Sequence, residues 1–143
     1  MQIMDIMTPK VISVGQNEPV TAAARLLKRC NIGALPVRDD AGRLRGMVTD
    51  RDIVTRCVAA EADPSETKVS EIMSRGVVTA EPFDDVEKAV SLMTEDQVRR
   101  LPVTDNGKLV GIVTLCDLAR RDECSMEAAE ALSDISANFR RRV

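Results

Sequence analysis

The sequence predicts an α+β fold: two tandem β-α-β-β-α units followed by a C-terminal helix. Three observations lead there. First, the chain overlays itself. Residues 5–14 (DIMTPKVISV) lie over residues 71–80 (EIMSRGVVTA) at a displacement of 66, and residues 42–52 (GRLRGMVTDRD) lie over residues 107–117 (GKLVGIVTLCD) at a displacement of 65. Self-similarity at a fixed period decides architecture before local propensity does. Second, inside each copy the apolar pattern changes from strand-like to helix-like spacing and back. Third, 143 residues suit one domain, or two small ones that share a core.

The elements follow in order. Val11, Ile12, Ser13 and Val14 open repeat one as a short strand, and Val77, Val78 and Thr79 are the counterpart in repeat two. A helix comes next. In repeat one Pro19 suits its first turn, and Val20, Ala23, Leu26 and Leu27 form its apolar stripe. In repeat two Asp84 and Glu87 form a capping-box start, with Val86, Val90 and Met93 at helical spacing. Leu35-Pro36-Val37 and Leu101-Pro102-Val103 are the next strands. Turns at residues 39–42 and at Asp105-Asn106-Gly107 lead into strands over 44–49 and 109–114, and the Asn-Gly pair is a strong hairpin signal. A second helix starts directly after Thr49 and after Thr114.

Residues 1–60 are thus one repeat, 61–70 a polar connector, and 71–122 the second repeat. Residues 123–143 form an amphipathic C-terminal helix with Met126, Ala129, Leu132, Ile135 and Phe139 on one face. Its closing Arg140, Arg141 and Arg142 suit a helix C-terminus.

Composition removes several function classes. There is no His, so the commonest general base and every Ser-His or Cys-His nucleophile arrangement are missing, and no enzyme is expected. Phe83 and Phe139 are the whole aromatic complement, which leaves no platform for stacking single-stranded nucleic acid. The net charge of −3 argues equally against a nucleic-acid partner. Cys30, Cys57, Cys116 and Cys124 are scattered without a CxxC pair, so neither a metal centre nor a dithiol motif is expected. Apolar runs fall short of the roughly 20 residues a membrane span needs, and the first ten residues lack the apolar core of a secretory signal. The expected location is cytoplasmic.

The ordered set IMT, LPV and Gly-apolar-apolar-Thr-x-x-Asp, present twice at matching spacing, resembles the paired CBS domain, or Bateman module. The likeness spans nearly all of residues 1–122, and no catalytic domain, channel or transporter accompanies it, so the chain looks like a stand-alone CBS pair. The resemblance implies two units packed with pseudo-twofold symmetry. It implies two clefts between the repeats, each able to hold an adenine nucleotide or related adenosyl compound such as AMP, ADP, ATP or S-adenosylmethionine. It also implies a homodimer through the CBS helices, no required cofactor, and an effector protein to which occupancy is passed.

The Thr49–Asp52 and Thr114–Asp117 pairs carry the ligand expectation. Each sits where a strand hands over to a helix, and free N–H groups at a helix start attract anions. An ionised aspartate is acceptor-only and matches the paired hydroxyl donors of a ribose. The same Thr-x-x-Asp spacing is also a helix capping box worth about 1 kcal/mol with no ligand, and the two roles are compatible. The resemblance further implies that the Asp117 cleft uses Thr8, Ile12, Ile32, Gly33 and Ile112, and that the Asp52 cleft uses Met47, Val78 and Val98, unless these are plain core residues.

Arg99 and Arg100 stand where the family often places a basic residue toward phosphates, and guanidinium forks suit phosphate oxygens. A solvated surface pair is the alternative. Repeat one has Gly33 and Ala34 there, so the clefts are unequal, and Asp117 with Arg100 marks the better phosphate site. Arg51 and Cys116 hold matching places in the two motifs. Arg51 brings a charge within reach of a phosphate, and Cys116 stands at a helix start, where a thiol pKa tends to fall. Two other readings stay open beside the sensor. One is a ligand-free dimerisation or adaptor protein, and the other is a redox responder using Cys116 or Cys124.

Overall fold

A computed structural model describes residues 1–120 and the backbone of 125–142, with side chains of the last helix described over 129–137. Among the described residues there are five strands and six α-helices, which follow the predicted alternation except that the helix over Val69–Ile72 was not foreseen and repeat two has no opening strand. They are β1 (Val14–Gly15), α1 (Val20–Cys30), β2 (Ala34–Arg38), β3 (Leu44–Thr49), α2 (Asp50–Ile53, continuing as a π-helical turn, Val54–Val58), α3 (Val69–Ile72), α4 (Val86–Asp96), β4 (Arg100–Asp105), β5 (Lys108–Thr114), α5 (Leu115–Ala119) and α6 (Ser125–Arg142). A 3-10 turn, Ile3–Asp5, precedes them.

The chain divides into two compact units, and their boundaries do not coincide with the repeats. Unit 1 holds Met1–Val11, Val78–Asn106 and Val110–Val143; unit 2 holds Ile12–Val77 and Gly107–Leu109. Each repeat therefore sends its opening segment into the unit built by the other. The hydrogen bonds show how. In unit 2 the start of α1 is met by the connector, with the Val20 N–H donating to the Thr67 carbonyl at 2.9 Å, and Met47 of β3 bridges Ser74. In unit 1 the start of α4 is met by the chain's first residues, with the Val86 N–H donating to the Met1 carbonyl at 3.1 Å, and Ile112 of β5 bridges Thr8.

Each unit has its own core, where the sequence suggested a shared one. In unit 2 Val14, Val20, Ala23, Leu27, Leu35, Val37, Val48 and Cys57 pack with Val69, Ile72 and Met73 of the exchanged segment. In unit 1 Ile3 and Ile6 pack with Ala80, Val86, Ala89, Met93, Leu101, Val103, Val113, Leu115 and Leu118. A fully buried Val or Leu contributes about 1.5–3 kcal/mol, so the exchanged residues are part of what makes each unit stable.

Unit 2 contains a sheet of order β1-β2-β3. β1 runs parallel to β2 with Val14 opposite Val37, and β2 runs antiparallel to β3 with Ala34 opposite Thr49. β4 and β5 make a two-stranded sheet. Two expectations shift here. The opening strand covers only Val14–Gly15, and its counterpart in repeat two is reduced to a single bridge between Ala80 and Val103. The residues before Val14 link one unit to the other, and Ile12, expected in the opening strand, lies outside β1 and is 45% exposed. The Asp84–Glu87 capping box does not form. α4 starts one residue later, at Val86 after Asp85, while Asp84 accepts from the Glu81 N–H at 2.9 Å and pairs with Lys88. α1 begins at Val20 with Pro19 as its N-cap.

The turns behave as the residue types require. Asn106 (φ 52°) and Gly107 (φ 84°) both adopt positive φ, the conformation that makes Asn-Gly a hairpin turn. In the repeat-one turn Asp39 accepts from the N–H groups of Ala41 and Arg43 and pairs with Arg45 at 2.8 Å. The Arg43 N–H is the largest cause holding the Asp39 carboxyl below its ordinary value; partial desolvation opposes it, and Arg45 and the Ala41 N–H assist. A carboxyl depressed on folding adds stability above its unfolded pKa and loses it as pH falls through the folded value. Urea unfolding between about pH 5 and pH 3 is therefore expected to show a shallower acid loss in Asp39→Asn than in the native chain.

α6 packs against α4 and α5 within unit 1, and Gln97 donates to Asp134 at 3.1 Å. Its inward face differs from the predicted stripe. Ala131 (2% exposed) and Ile135 (6%) are buried, while Leu132 (44%) and Ala129 are exposed. Side chains of Met126, Phe139 and the three closing arginines lie outside the described residues, as does Cys124. Ala131→Glu is expected to cost about 2–3 kcal/mol by burying a charge, whereas Ala129→Glu stays within about 0.5 kcal/mol. Thermal unfolding of the two variants checks the assignment.

Candidate functional site: two Thr-Asp boxes

Both motifs fold into the same hydrogen-bonded box. Thr49 ends β3 in extended backbone (φ −116°, ψ 163°), and its Oγ1 accepts from the Asp52 N–H at 3.0 Å. Asp52 Oδ2 in turn accepts from the Thr49 N–H at 3.0 Å. Thr114 ends β5 likewise (φ −122°, ψ 162°); its Oγ1 accepts from the Asp117 N–H at 3.1 Å, and Asp117 Oδ2 accepts from the Thr114 N–H at 2.8 Å. The capping role foreseen for the motif is thus present in both repeats. Each box uses one carboxylate oxygen and leaves Oδ1 for other partners.

The surroundings of the boxes differ. Asp52 is buried, at 8% exposure, and its Oδ1 lies 3.8 Å from Arg56 Nη1, which also donates to the Ile72 carbonyl at 3.0 Å and to Ser74 Oγ at 3.3 Å. One guanidinium thereby joins the box of repeat one to the segment exchanged from repeat two. Asp117 is half-buried. Among the described residues, Asp117 makes only the bonds of its box.

One backbone bond fixes the correspondence between the boxes. The Asp50 N–H donates to the Gly33 carbonyl at 3.1 Å, and the Leu115 N–H donates to the Arg99 carbonyl at 2.9 Å. Gly33 and Arg99 are thus counterparts, as are Asp50 and Leu115. Arg100 is half-buried and Arg99 exposed; Arg51 and Cys116 are both exposed.

The expected site residues distribute as follows. Unit 1 brings Thr8, Ile112, Thr114, Asp117, Arg99 and Arg100 together with Val78 and Val98. Unit 2 brings Gly33, Ile32, Met47, Thr49, Arg51 and Asp52 together with Ile12. Thr8 lies against the Asp117 box through paired backbone bonds to Ile112, at 2.8 and 3.0 Å. Of the residues the resemblance adds, Ile12, Ile32 and Gly33 fall in the compact unit opposite to Asp117, and Val78 and Val98 in the unit opposite to Asp52.

Sequence reasoning missed Asp50 and Arg56. Asp50 was visible as one of the two charges of TDRD that TLCD lacks at the same places, and Arg56 stands four residues after Asp52, within reach on a helix.

A chain built of two such repeats, each ending in a strand–Thr-x-x-Asp–helix box, defines a class, and the comparisons agree with it. The chain belongs to the CBS domain family, whose model matches residues 3–59 and 69–123. It is 44% identical over 134 residues to the CBS domain-containing protein YhcV of Bacillus subtilis, covering 94% of each chain. It is 42% identical over 116 residues to hypoxic response protein 1 of Mycobacterium tuberculosis, covering 81% of each.

Solved structures align over most of the chain. A crystal structure of Hypoxic Response Protein I with two coordinated zinc ions has a TM-score of 0.79 at 40% identity, covering 85% of this chain and 98% of that one. The CBS domain pair of MJ0100, in complex with 5′-methylthioadenosine and S-adenosyl-L-methionine, has a TM-score of 0.72 at 31% identity, covering 84% and 94%. CBSX2 in complex with AMP has a TM-score of 0.73 at 30% identity, covering 83% and 93%. Among the described residues of this chain, no helix is long and apolar enough to cross a membrane.

Proposed function

We propose that this protein is a non-enzymatic sensor that binds an adenosyl ligand at its Thr-Asp boxes and passes occupancy to a partner protein. One observation carries the reading. The ribose-matching carboxylate occurs twice, in the same box geometry, in a family whose similar members MJ0100 and CBSX2 hold adenosyl compounds. Asp52 and Asp117 would each present Oδ1 to ribose hydroxyls while Oδ2 stays tied to the threonine N–H, so capping and ligand binding share one side chain.

The residues assigned to the two sites are Thr114, Asp117, Thr8, Ile12, Ile32, Gly33, Ile112, Arg99 and Arg100 for one, and Thr49, Asp52, Arg51, Met47, Val78 and Val98 for the other. Arg100, half-buried and next to Arg99, whose carbonyl accepts the Leu115 N–H, is the phosphate partner. We place the protein in the cytoplasm as a homodimer through its CBS helices, with signalling by differential ligand affinity between two arrangements of that dimer.

The competing reading, a ligand-free adaptor, is favoured by one fact: both boxes satisfy their threonine and aspartate N–H groups internally. Isothermal titration with AMP, ADP, ATP and S-adenosylmethionine separates the two. Saturable heat from at least one compound supports the sensor. Absence of heat and of any thermal shift across the panel supports the adaptor.

A further inference from the structure

The repeat makes α1 and α4 counterparts, Val20 over Val86 and Cys30 over Asp96, yet their outward faces carry opposite charge. α1 buries Val20, Ala23 and Leu27 and turns Arg25, Lys28 and Arg29 to solvent, with no carboxylate along its length. α4 buries the matching Val86, Ala89 and Met93 and turns Glu87, Glu95 and Asp96 to solvent. Its one cation, Lys88, is held by Asp84 at 3.3 Å. Arg25 and Arg29 stand one helical turn apart on the ridge opposite the core of their unit, and Glu87 and Glu95 stand two turns apart on the corresponding ridge of α4. None of these six exposed charges forms an ion pair with another described residue. Glu95 and Asp96 also break a local rule. They occupy the last turn of α4, where the helix dipole disfavours carboxylates and no basic residue is present, whereas Lys28 and Arg29 in the last turn of α1 obey it. Charges set against their own helix dipole, with no partner in the chain, mark a face that meets something else.

We propose that the homodimer is antiparallel in its repeats: the basic ridge of α1 in one protomer docks on the acidic ridge of α4 in its partner. This rests on the reading of a homodimer through the CBS helices and adds its orientation. A twofold axis makes such a contact twice, α1 to α4 and α4 to α1, so opposite charges meet at both ends. The parallel orientation sets α1 against α1 and α4 against α4. It gathers cations at one end and carboxylates at the other. Isolated surface ion pairs contribute little to affinity. Orientation turns instead on the difference between attraction and repulsion, and like charges across an interface reject the wrong arrangement.

The test is sedimentation velocity on the full chain at about 20 mM salt, where surface charges are least screened. The native protein is compared with a chain carrying Arg25→Glu and Arg29→Glu, a chain carrying Glu87→Lys and Glu95→Lys, and a chain carrying both pairs. The expected result is a native dimer, a dimerisation constant weakened about a hundredfold by either pair alone, and a dimer regained when both pairs are present. Recovery in the combined chain, which contains every substitution, shows that the fold tolerates them all. A dimer that either pair alone leaves intact overturns the antiparallel orientation, while the homodimer stands. A combined chain that stays monomeric overturns it as well, since that loss is structural and not a matter of charge. A native chain that sediments as a monomer overturns the homodimer reading and this inference with it, and leaves the two faces to a different protein.

Discussion

Gly46→Ala is expected to lower the stability of the protein by about 3 kcal/mol, an effect at the upper end of what overpacking produces. Gly46 lies on β3 opposite Val37 of β2, and the exchanged segment passes directly over it. A Cβ there would stand 2.5 Å from the Ser74 carbonyl oxygen and 3.0 Å from Met73 Sδ. The Ser74 oxygen cannot retreat cheaply. It accepts the Met47 N–H at 3.0 Å, and the Ser74 N–H donates back to Met47 at 2.8 Å. Moving it breaks the bridge that fastens the segment carrying Val69, Ile72 and Met73 into the core of unit 2.

Gly111 holds the matching place in unit 1, but the first atom met there is Met7 Sδ at 2.5 Å, with the Thr8 carbonyl at 3.1 Å. A methionine tip can swing aside, so Gly111→Ala is expected to cost about half as much. Urea denaturation of both variants reads the difference. Two small, equal losses would mean that the exchanged segments yield easily, and that these glycines are not there for close approach.

Asp117→Ala is expected to reduce adenosyl affinity at its box by at least about 100-fold, while costing only about 1 kcal/mol of stability. Removing the carboxylate frees the Thr114 N–H, the ordinary loss of a cap. It also deletes the acceptor proposed for two ribose hydroxyls, and an unpaired polar ligand group is costly. Asp117→Asn separates the two contributions. Its amide oxygen still accepts the Thr114 N–H, so stability should stay within about 0.5 kcal/mol of the native chain. Its neutral group forms weaker bonds to hydroxyls than a carboxylate, so affinity should fall about tenfold. Calorimetric titration beside thermal unfolding gives both quantities. An alanine variant that loses stability in proportion to affinity would reduce Asp117 to a helix cap.

Much of this was readable from residue types. The duplicated Leu-Pro-Val strands, the Asn-Gly hairpin and the helices after Thr49 and Thr114 all follow local rules of turn chemistry, alternation and capping. The departures are where a distant segment overrides a local rule. α4 starts at Val86 because Met1 supplies the acceptor for its N–H, a partner no local window contains. The opening strand shrinks because its residues link the two units. The inward face of α6 keeps Ile135 from the expected stripe and departs from it at Ala129, Ala131 and Leu132, since an Ala-rich helix of this kind offers several stripes of similar merit. At the boxes, TDRD against TLCD announced a difference in charge. That Asp50 turns onto Gly33 required coordinates.

The exchange of opening segments also bears on how the chain is made. A ribosome delivers residues in order, but neither unit can close in order. Unit 2 waits for Gly107–Leu109, whose Gly107 carbonyl accepts the Leu44 N–H and whose Leu109 N–H donates to Gly42. The first eleven residues wait longer, since their hydrogen-bonding partners, Pro82, Asp84, Val86 and Ile112, emerge only with the second half. Neither unit is therefore complete until most of the second repeat has emerged. A cut in the connector would yield two pieces that each lack a strap, able to fold only by finding each other.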